Sequence, residues 1–343
     1  MNFVIAVDVM GGDYGPSVTL PAVQMFLENT SGAVCHLYGS ADLIHPWLVK
    51  IPKKTQEKIQ IFHCPEFIDN HTSPKDALRK FKQSSMRLSI ESVKNGLAHA
   101  IISAGNTGAL MALSKVILST LPEIDRPAIA KAIPSFDLSK PDKLTVMLDL
   151  GANAQCTPKN LFDFSILGLG LYKCMTPNQK SYSIKLLNIG TEKSKGNDLI
   201  QQSAEILSAS DLPFDGFIEP NDIYQNMCDI IVCDGFNGNI ALKTTEGVAH
   251  LMMSKIKSAL TETVSSKIGA LLLKEPLKKH LGMFNPSLHN GGCILGLQGI
   301  VIKSHGGANK EGFYNALQFA YQQASQNLLQ KITSQLTNPS LKD

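Results

Sequence analysis

A short run of β-branched and apolar residues, closed by a Gly, Asn or Asp turn and followed by a helical pattern, recurs along almost the whole chain. Residues 3–7 form the first such run, which ends at Asp8-Val9-Met10-Gly11-Gly12-Asp13. A helix is expected from about Ser17, just after Pro16, through Leu20, Val23 and Leu27. Residues 33–38 and 59–63 read as further strands, and 98–103 leads into Ala104-Gly105-Asn106-Thr107-Gly108-Ala109 and a helix to about Leu121. Strand 144–148 ends at Asp149-Leu150-Gly151-Ala152-Asn153, and strand 183–187 at Asn188-Ile189-Gly190-Thr191-Glu192. Strand 229–233 ends at Asp234-Gly235-Phe236-Asn237-Gly238-Asn239, and 299–302 leads to Lys303-Ser304-His305-Gly306-Gly307. Strands alternating with helices predict an α/β fold with a largely parallel sheet.

At 343 residues with 43% hydrophobic side chains, the chain can bury a substantial core in one large or two moderate domains. A net charge of +3, no block of Lys and Arg, and a single tryptophan, Trp47, argue against a nucleic-acid partner. Asp8 interrupts the first apolar run too early for a signal peptide, and no basic residues precede it. No stretch approaches the roughly 20 apolar residues that cross a bilayer, so a cytoplasmic protein, at most attached to a membrane surface, is expected. The seven cysteines include no CxxC pair, which predicts reduced thiols and no zinc ribbon.

From Val248 the theme changes. Met252, Ile256, Leu260, Val264, Ile268 and Leu272 fall at every fourth position, with Lys255, Lys257, Lys267, Lys274, Lys278 and Lys279 around them. This predicts one long amphipathic helix, or two broken near Ser265-Ser266 or Gly269. Three roles are open to it: packing on the chain's own core, a dimer-forming hairpin, or a membrane-surface helix.

Ligands of open α/β sheets bind beyond the carboxyl ends of strands, where these Gly, Asn and Thr loops lie. Glycine permits close backbone approach, and helix N-termini favour anions, so a phosphate pocket is the natural reading. The loops contain no GxGxxG, no GxxxxGK[ST], no GxSxG and no HExxH. His305 stands out in its Gly-rich strand end. Asp8, Asp149 and Asp234 share the strand-terminal position, where an Asp can bind a metal, orient backbone amides or cap the next helix.

Together these loops resemble those of the bacterial phosphate acyltransferase (PlsX) family, the acyl-ACP:phosphate acyltransferases of phospholipid synthesis. The matching stretches are 7–13, 103–110, Asp125-Arg126-Pro127-Ala128, 148–153, 188–192, 233–239 and 301–306. They occur in family order and reach to about residue 325. Two positions depart: Gln155 stands where the family usually has Asp, and Asn237 replaces the Thr of its FTGN turn. A carboxylate at 155 or a hydroxyl at 237 is therefore not essential to such chemistry here.

The resemblance implies a Rossmann-like α/β/α fold, like the isocitrate/isopropylmalate dehydrogenase and phosphotransacetylase group. It implies one two-lobed unit over 1–335 and a protruding helical hairpin over 246–284 for dimerisation and membrane contact; the last residues, from about Leu336, are polar, and a frayed tail is expected there. It also implies a homodimer at the inner face of the membrane, no cofactor, and acyl-acyl-carrier protein and phosphate as substrates. The product passes to a membrane glycerol-3-phosphate acyltransferase.

Phosphate is already an anionic nucleophile, and a thiol of pKa roughly 8.5 leaves readily. No Ser or Cys nucleophile and no metal is needed. Phosphate must be held in line, and one oxyanion donor is worth about 3–4 kcal/mol. His305, Asn106 and Lys195 are the candidate catalytic residues, with His305 donating to the oxyanion or thiolate and Lys195 or Lys243 supplying charge. Asp8, Gly11, Gly12, Thr107, Gly108, Asn153, Asp234, Gly235, Asn237, Asn239 and Lys243 are the candidate substrate-binding residues. Phosphate is expected among Asn106, Thr107, Gly108 and the 235–239 loop. Lys75, Arg79, Lys80 and Lys82 either meet the acidic carrier protein or form an ordinary solvated face. Rival readings are a short-acyl-CoA phosphotransacetylase, an NAD-dependent decarboxylating dehydrogenase and an acyl-binding scaffold without turnover.

Overall fold

A computed structural model describes residues 2–134, 143–281, 287–288 and 290–336. Among these residues, eleven strands form one sheet. They are β1 Phe3–Asp8, β2 Ala33–Gly39, β3 Ile59–His63, β4 Ala100–Ser103, β5 Ala128–Pro134, β6 Leu144–Leu148, β7 Ile184–Leu187, β8 Phe214–Ile218, β9 Ile230–Val232, β10 Gly292–Leu295 and β11 Ile300–Lys303. In space they run β3-β2-β1-β4-β11-β10-β5-β6-β9-β7-β8. Every strand expected from the sequence is present; β5, β8 and β10 are additional.

Those additions change the architecture. β3, β2, β1, β4 and β11 form one parallel block, and β6, β9, β7 and β8 a second. β10 and β5 join them through three antiparallel pairings, so the two blocks run in opposite directions. Their carboxyl ends therefore lie at opposite edges of the sheet.

The helices are α1 Pro16–Asn29, α2 Ala41–Leu48, α3 Lys53–Gln56, α4 Pro74–Arg79, α5 Ser85–Lys94, α6 Thr107–Leu118, α7 Pro158–Met175 and α8 Asp198–Ser208. They continue with α9 Gly235–Thr261, α10 Val264–Leu272, α11 Lys274–Leu281, α12 Lys310–Ser325 and α13 Leu328–Leu336. α1, α7, α12 and α13 cover one face through Phe26, Phe164, Phe313 and Ile332. On the other face α5 and α6 cover the first block, where Met86, Leu110 and Leu113 meet Ile101 and Val301. The start of α9 covers the second block, where Ala241 and Leu242 meet Met147 and Ile231. Ile129 of β5 packs against both of these clusters, and the stretch of this face between them is the cleft.

The amphipathic segment is α9 followed by α10 and α11. Its break falls at Glu262 and Thr263, earlier than expected, because Thr263 and Ser266 form a reciprocal capping box that starts α10. Beyond Gly238 no residue of α9 is buried, and none of α10 is. Leu251, Met252, Val264, Ile268 and Leu272 are exposed. From Val248 on, the segment therefore does not pack on the chain's own core. No described helix is long and apolar enough to cross a membrane. Residues 282–284 of the expected hairpin lie outside the described residues. Leu336, where fraying was expected to begin, is a buried end of α13; 337–343 lie outside the described residues.

Candidate active site

One transverse row of the sheet carries the site. Register places Asp8 opposite Ser103, Ser103 opposite Lys303, and Lys303 opposite Gly292. Cys293 pairs with Ala130 and Ile294 with Ile129, so the row continues from Gly292 to Lys131. All these positions point to the face that carries the cleft, because each lies two residues from Ala6, Ile101, Val301, Ile294 or Ile129 of its apolar floor.

The row is polar where the rows beside it are apolar. Buried Asp8 accepts from the hydroxyls of Ser85 and Ser103, each at 2.6 Å. Burial raises its pKa against these two bonds and the charge of Lys303. Lys303 donates to the carbonyl oxygens of Ala104, at 3.2 Å, and Ser304. Burial pushes its ammonium down to about 8, offset in part by Asp13 and Asp8. Burial also lowers Lys131, which feels Glu246 and Lys243 from α9. Lys243 pairs with Glu246 at 2.9 Å.

His305 stands above this row. Its Nδ1 accepts the Gly307 N–H at 3.1 Å, which leaves the proton of the neutral ring on Nε2. Burial lowers its pKa; Glu246 opposes that, while Lys243, Lys303 and Lys131 reinforce it. The ring is therefore a neutral N–H donor among three lysines. Asn290 fixes its backbone, accepting the His305 N–H at 2.9 Å while donating to Ser304 Oγ at 2.8 Å.

Gly11 and Gly12 build the rim by close packing. A Cβ on Gly11 would lie 2.7 Å from an Asp8 carboxylate oxygen and 2.8 Å from the Gly105 nitrogen. One on Gly12, whose φ is +91°, would lie 2.9 Å from Ala104 Cβ. Asp13 donates its N–H to Gly306 O at 2.9 Å, joining the β1 and β11 loops. Thr107 and Gly108 sit exposed at the start of α6. Asn106 is fully engaged: it donates to Asn70 O at 2.8 Å and Thr72 O at 3.0 Å, and accepts the Ala109 N–H at 3.0 Å. It clamps the 70–72 loop and caps α6.

The other expected residues form a second cluster. Asp234 caps α9 by accepting the Asn237 N–H at 2.8 Å, and takes the Asn237 side-chain amide at 2.7 Å. Asp149 accepts the N–H groups of Ile129, Ala152 and Asn153 at 2.7–3.0 Å. Asn153 ties this loop to Pro127 O at 2.8 Å, and Gly235 donates its N–H to Asn153 O at 2.8 Å. Gly151 lies against Asn239. The three strand-end aspartates thus have different fates: Asp8 binds hydroxyls, Asp149 orders amides and Asp234 caps a helix.

The structure does not bring the 235–239 turn to Asn106, Thr107 and Gly108. β9 lies five strands from β4, roughly 24 Å at about 4.8 Å per strand, and ends at the opposite sheet edge. Lys195 is exposed beyond β7, five strands from β11 and likewise at the opposite edge. Its carbonyl accepts from Asn188 at 3.2 Å. Lys243, in the third turn of α9, is near enough for its charge to act on Lys131, Lys303 and His305. Sequence reasoning missed Lys131, Lys303 and Glu246. The signal for Lys131 was a lone lysine in the apolar run Ala128-Ile129-Ala130-Lys131-Ala132-Ile133.

Residues 3–331 match the family model described as fatty acid synthesis protein. The chain is 41% identical over 336 residues to the phosphate acyltransferase of Shewanella sediminis, covering 98% of this chain and 97% of that one. It is 42% identical over 337 residues to the phosphate acyltransferase of Shewanella sp. strain MR-4, with the same coverage. In fold it is similar to a phosphotransacetylase from Streptococcus pyogenes, with a TM-score of 0.64, 17% identity and 94% of each chain covered. It is also similar in fold to a 4-hydroxythreonine-4-phosphate dehydrogenase from Klebsiella pneumoniae, with a TM-score of 0.53, 12% identity, and 94% of this chain and 98% of that one covered.

Proposed function

The chain belongs to the phosphate acyltransferase family of fatty acid synthesis proteins and is an acyltransferase, and we propose that it moves a long-chain acyl group from acyl-acyl-carrier protein to inorganic phosphate. The observation that carries this reading is the charge around His305: Lys131, Lys303 and Lys243 all act on the neutral ring, which stands two residues beyond the end of the polar row. Three ammonium groups suit a phosphate dianion, and an imidazole N–H suits the oxyanion that develops on a thioester carbonyl.

The reaction is direct attack. An oxygen of the phosphate dianion forms the C–O bond, the tetrahedral oxyanion accepts a hydrogen bond from the His305 Nε2–H, and its collapse breaks the C–S bond and expels the thiolate, which takes up the proton that the phosphate carried. The products are acyl phosphate and free carrier thiol, so atoms and charge balance without a covalent enzyme intermediate. No metal-binding cluster occurs among the described residues, and this chemistry requires none. Asp8 contributes by fixing the hydroxyls of Ser85 and Ser103 and by adding a negative charge that acts on Lys303; Asn106 contributes by fixing the 70–72 loop over α6.

The exposed basic side chains of α4 and the residues after it support an acidic carrier as donor. Lys75 and Arg79 are exposed, while Lys80 pairs with Asp76 at 2.8 Å. The exposed apolar stripe of α9 and α10 supports the hairpin as the dimer and membrane contact of a single two-lobed unit. From there the product passes to a membrane glycerol-3-phosphate acyltransferase.

The test is acyl-phosphate formation, trapped by hydroxylamine, with palmitoyl-acyl-carrier protein and palmitoyl-CoA compared. Phosphate-dependent product from the carrier-bound donor alone supports the full reading. Preference for a short acyl-CoA would instead make it a phosphotransacetylase, and binding without turnover would make it a scaffold.

A further inference from the structure

A cavity of about 620 Å³ lies beside the start of α9. That is the size of a small-molecule site, commonly about 300–1,000 Å³. Buried Leu187, Ile200 and Ile223 line it from the body of the protein. Asn237, Ile240, Ala241 and Thr244 line it from α9. These four are i, i+3, i+4 and i+7, one face of a helix. At 3.6 residues per turn, Lys243 and Glu246 project about 110° and 170° from the centre of that face. α9 therefore stands between this cavity and the charged cleft.

No residue lining the cavity carries a charge. Its four asparagines are engaged with the protein. Asn188 accepts the Ile189 N–H at 2.9 Å and donates to Lys195 O at 3.2 Å. Asn197 accepts the Ile200 N–H at 3.1 Å, Asn221 donates to Asp222 at 3.0 Å, and Asn237 donates to Asp234 at 2.7 Å. What remains to meet a ligand is mainly apolar, and a buried charged head group would lack a partner. Ile189 and Ile240, which line the cavity, are 78% and 49% exposed. The lining face of α9 also continues outward through Val248 and Leu251, which are 52% and 57% exposed. An apolar track thus runs along α9 into an uncharged cavity. A long alkyl chain uses both; a compact apolar molecule would leave the track bare.

We propose that this cavity is a second ligand site, which takes the alkyl tail of a soluble long-chain acyl compound and leaves its head group in water. A free fatty acid and the acyl phosphate of the proposed reaction share that tail. The site goes beyond the acyltransferase reading and does not rest on it. Because α9 separates it from His305, it holds a chain without presenting a carbonyl for attack.

The experiment measures binding of laurate, octanoate and dodecyl phosphate to the full-length protein by calorimetry, below their micelle concentrations. Laurate should bind at least about tenfold more tightly than octanoate, since each buried CH₂ is worth about fourfold. Ile240→Asp places a charge in the cavity wall and Thr244→Trp fills the space, so each should raise the laurate Kd at least about tenfold. Both positions face solvent, so the variants are expected to fold, which circular dichroism checks. Their kcat/KM for palmitoyl-acyl-carrier protein should match wild type. Tighter binding of dodecyl phosphate supports the site and names the acyl phosphate as its ligand; tighter binding of laurate names the fatty acid. Absence of laurate binding by wild type, or an unchanged Kd in both folded variants, overturns the site. If wild type binds no laurate while Ile240→Asp changes the sedimentation of the protein, the cavity belongs to a second copy and the proposal fails. A loss of kcat/KM that matches the loss of laurate binding overturns the separate site and returns the cavity to the reacting one. If wild type makes no acyl phosphate, the acyltransferase reading fails, while laurate binding still decides the cavity.

Discussion

The side-chain carbonyl of Asn290 accepts the backbone N–H of His305 at 2.9 Å, and the same amide donates to the buried Ser304 hydroxyl at 2.8 Å. One side chain therefore fixes the turn from which the imidazole projects. A positioning residue of this kind touches no substrate. Asn290→Ala should lower kcat by roughly 10–100-fold, in line with about 1–3 kcal/mol for a buried polar group left unpaired. Phosphate KM should change little, and Asn290→Asp, which keeps an acceptor for the N–H, should recover part of the rate. Equal losses for both variants would deny the positioning role.

His305 itself donates from Nε2. His305→Ala should reduce kcat by about 10²–10³-fold, the range for loss of one oxyanion donor. Steady-state rates at saturating phosphate, with circular dichroism to confirm folding, measure this.

Asn106 should behave differently from His305. Its amide bonds are spent on Asn70, Thr72 and Ala109, so Asn106→Ala removes a helix cap and a loop clamp. Urea denaturation should show a loss of about 1–2 kcal/mol. His305→Ala should cost less stability and far more rate.

The lowered pKa of Lys303, about 8, gives a signed pH dependence. The lysine is cationic below that value, so kcat/KM for phosphate should fall as pH rises through about 8. Lys303→Arg stays charged and should flatten the decline. Stability should move the other way. Between about 8 and the unfolded value of roughly 10.4, the unfolded chain binds more protons, so this group makes the fold more stable as pH rises. Phosphate titrations and denaturation at pH 7, 8 and 9 separate the two trends.

Much of this molecule was legible in its sequence because buried strands read as continuous β-branched runs. Residues 59–63 and 144–148 have the expected bounds, and the others shift by a residue or two. β10 was hidden because it is a four-residue strand that begins with glycine. β5 was hidden by its lysine, whose alternation matters only once the strand is placed beside the cleft. Without these two strands, the sequence suggests one parallel sheet with every loop at one edge. That is why the 235–239 turn and Lys195 were grouped with Asn106. The antiparallel seam separates them and puts Lys131 and Lys303 at the centre. Strand pairing is a long-range property, and local patterns do not encode it.

Direct attack by phosphate is tested most directly by a rapid-quench experiment with palmitoyl-acyl-carrier protein and enzyme at equal concentrations. Thiol release and the intact mass of the enzyme are followed with and without phosphate. Release only when phosphate is present, in step with acyl phosphate and with no acylated enzyme at any time, is the predicted result. A burst of thiol without phosphate, accompanied by an acyl adduct on the protein, would contradict it.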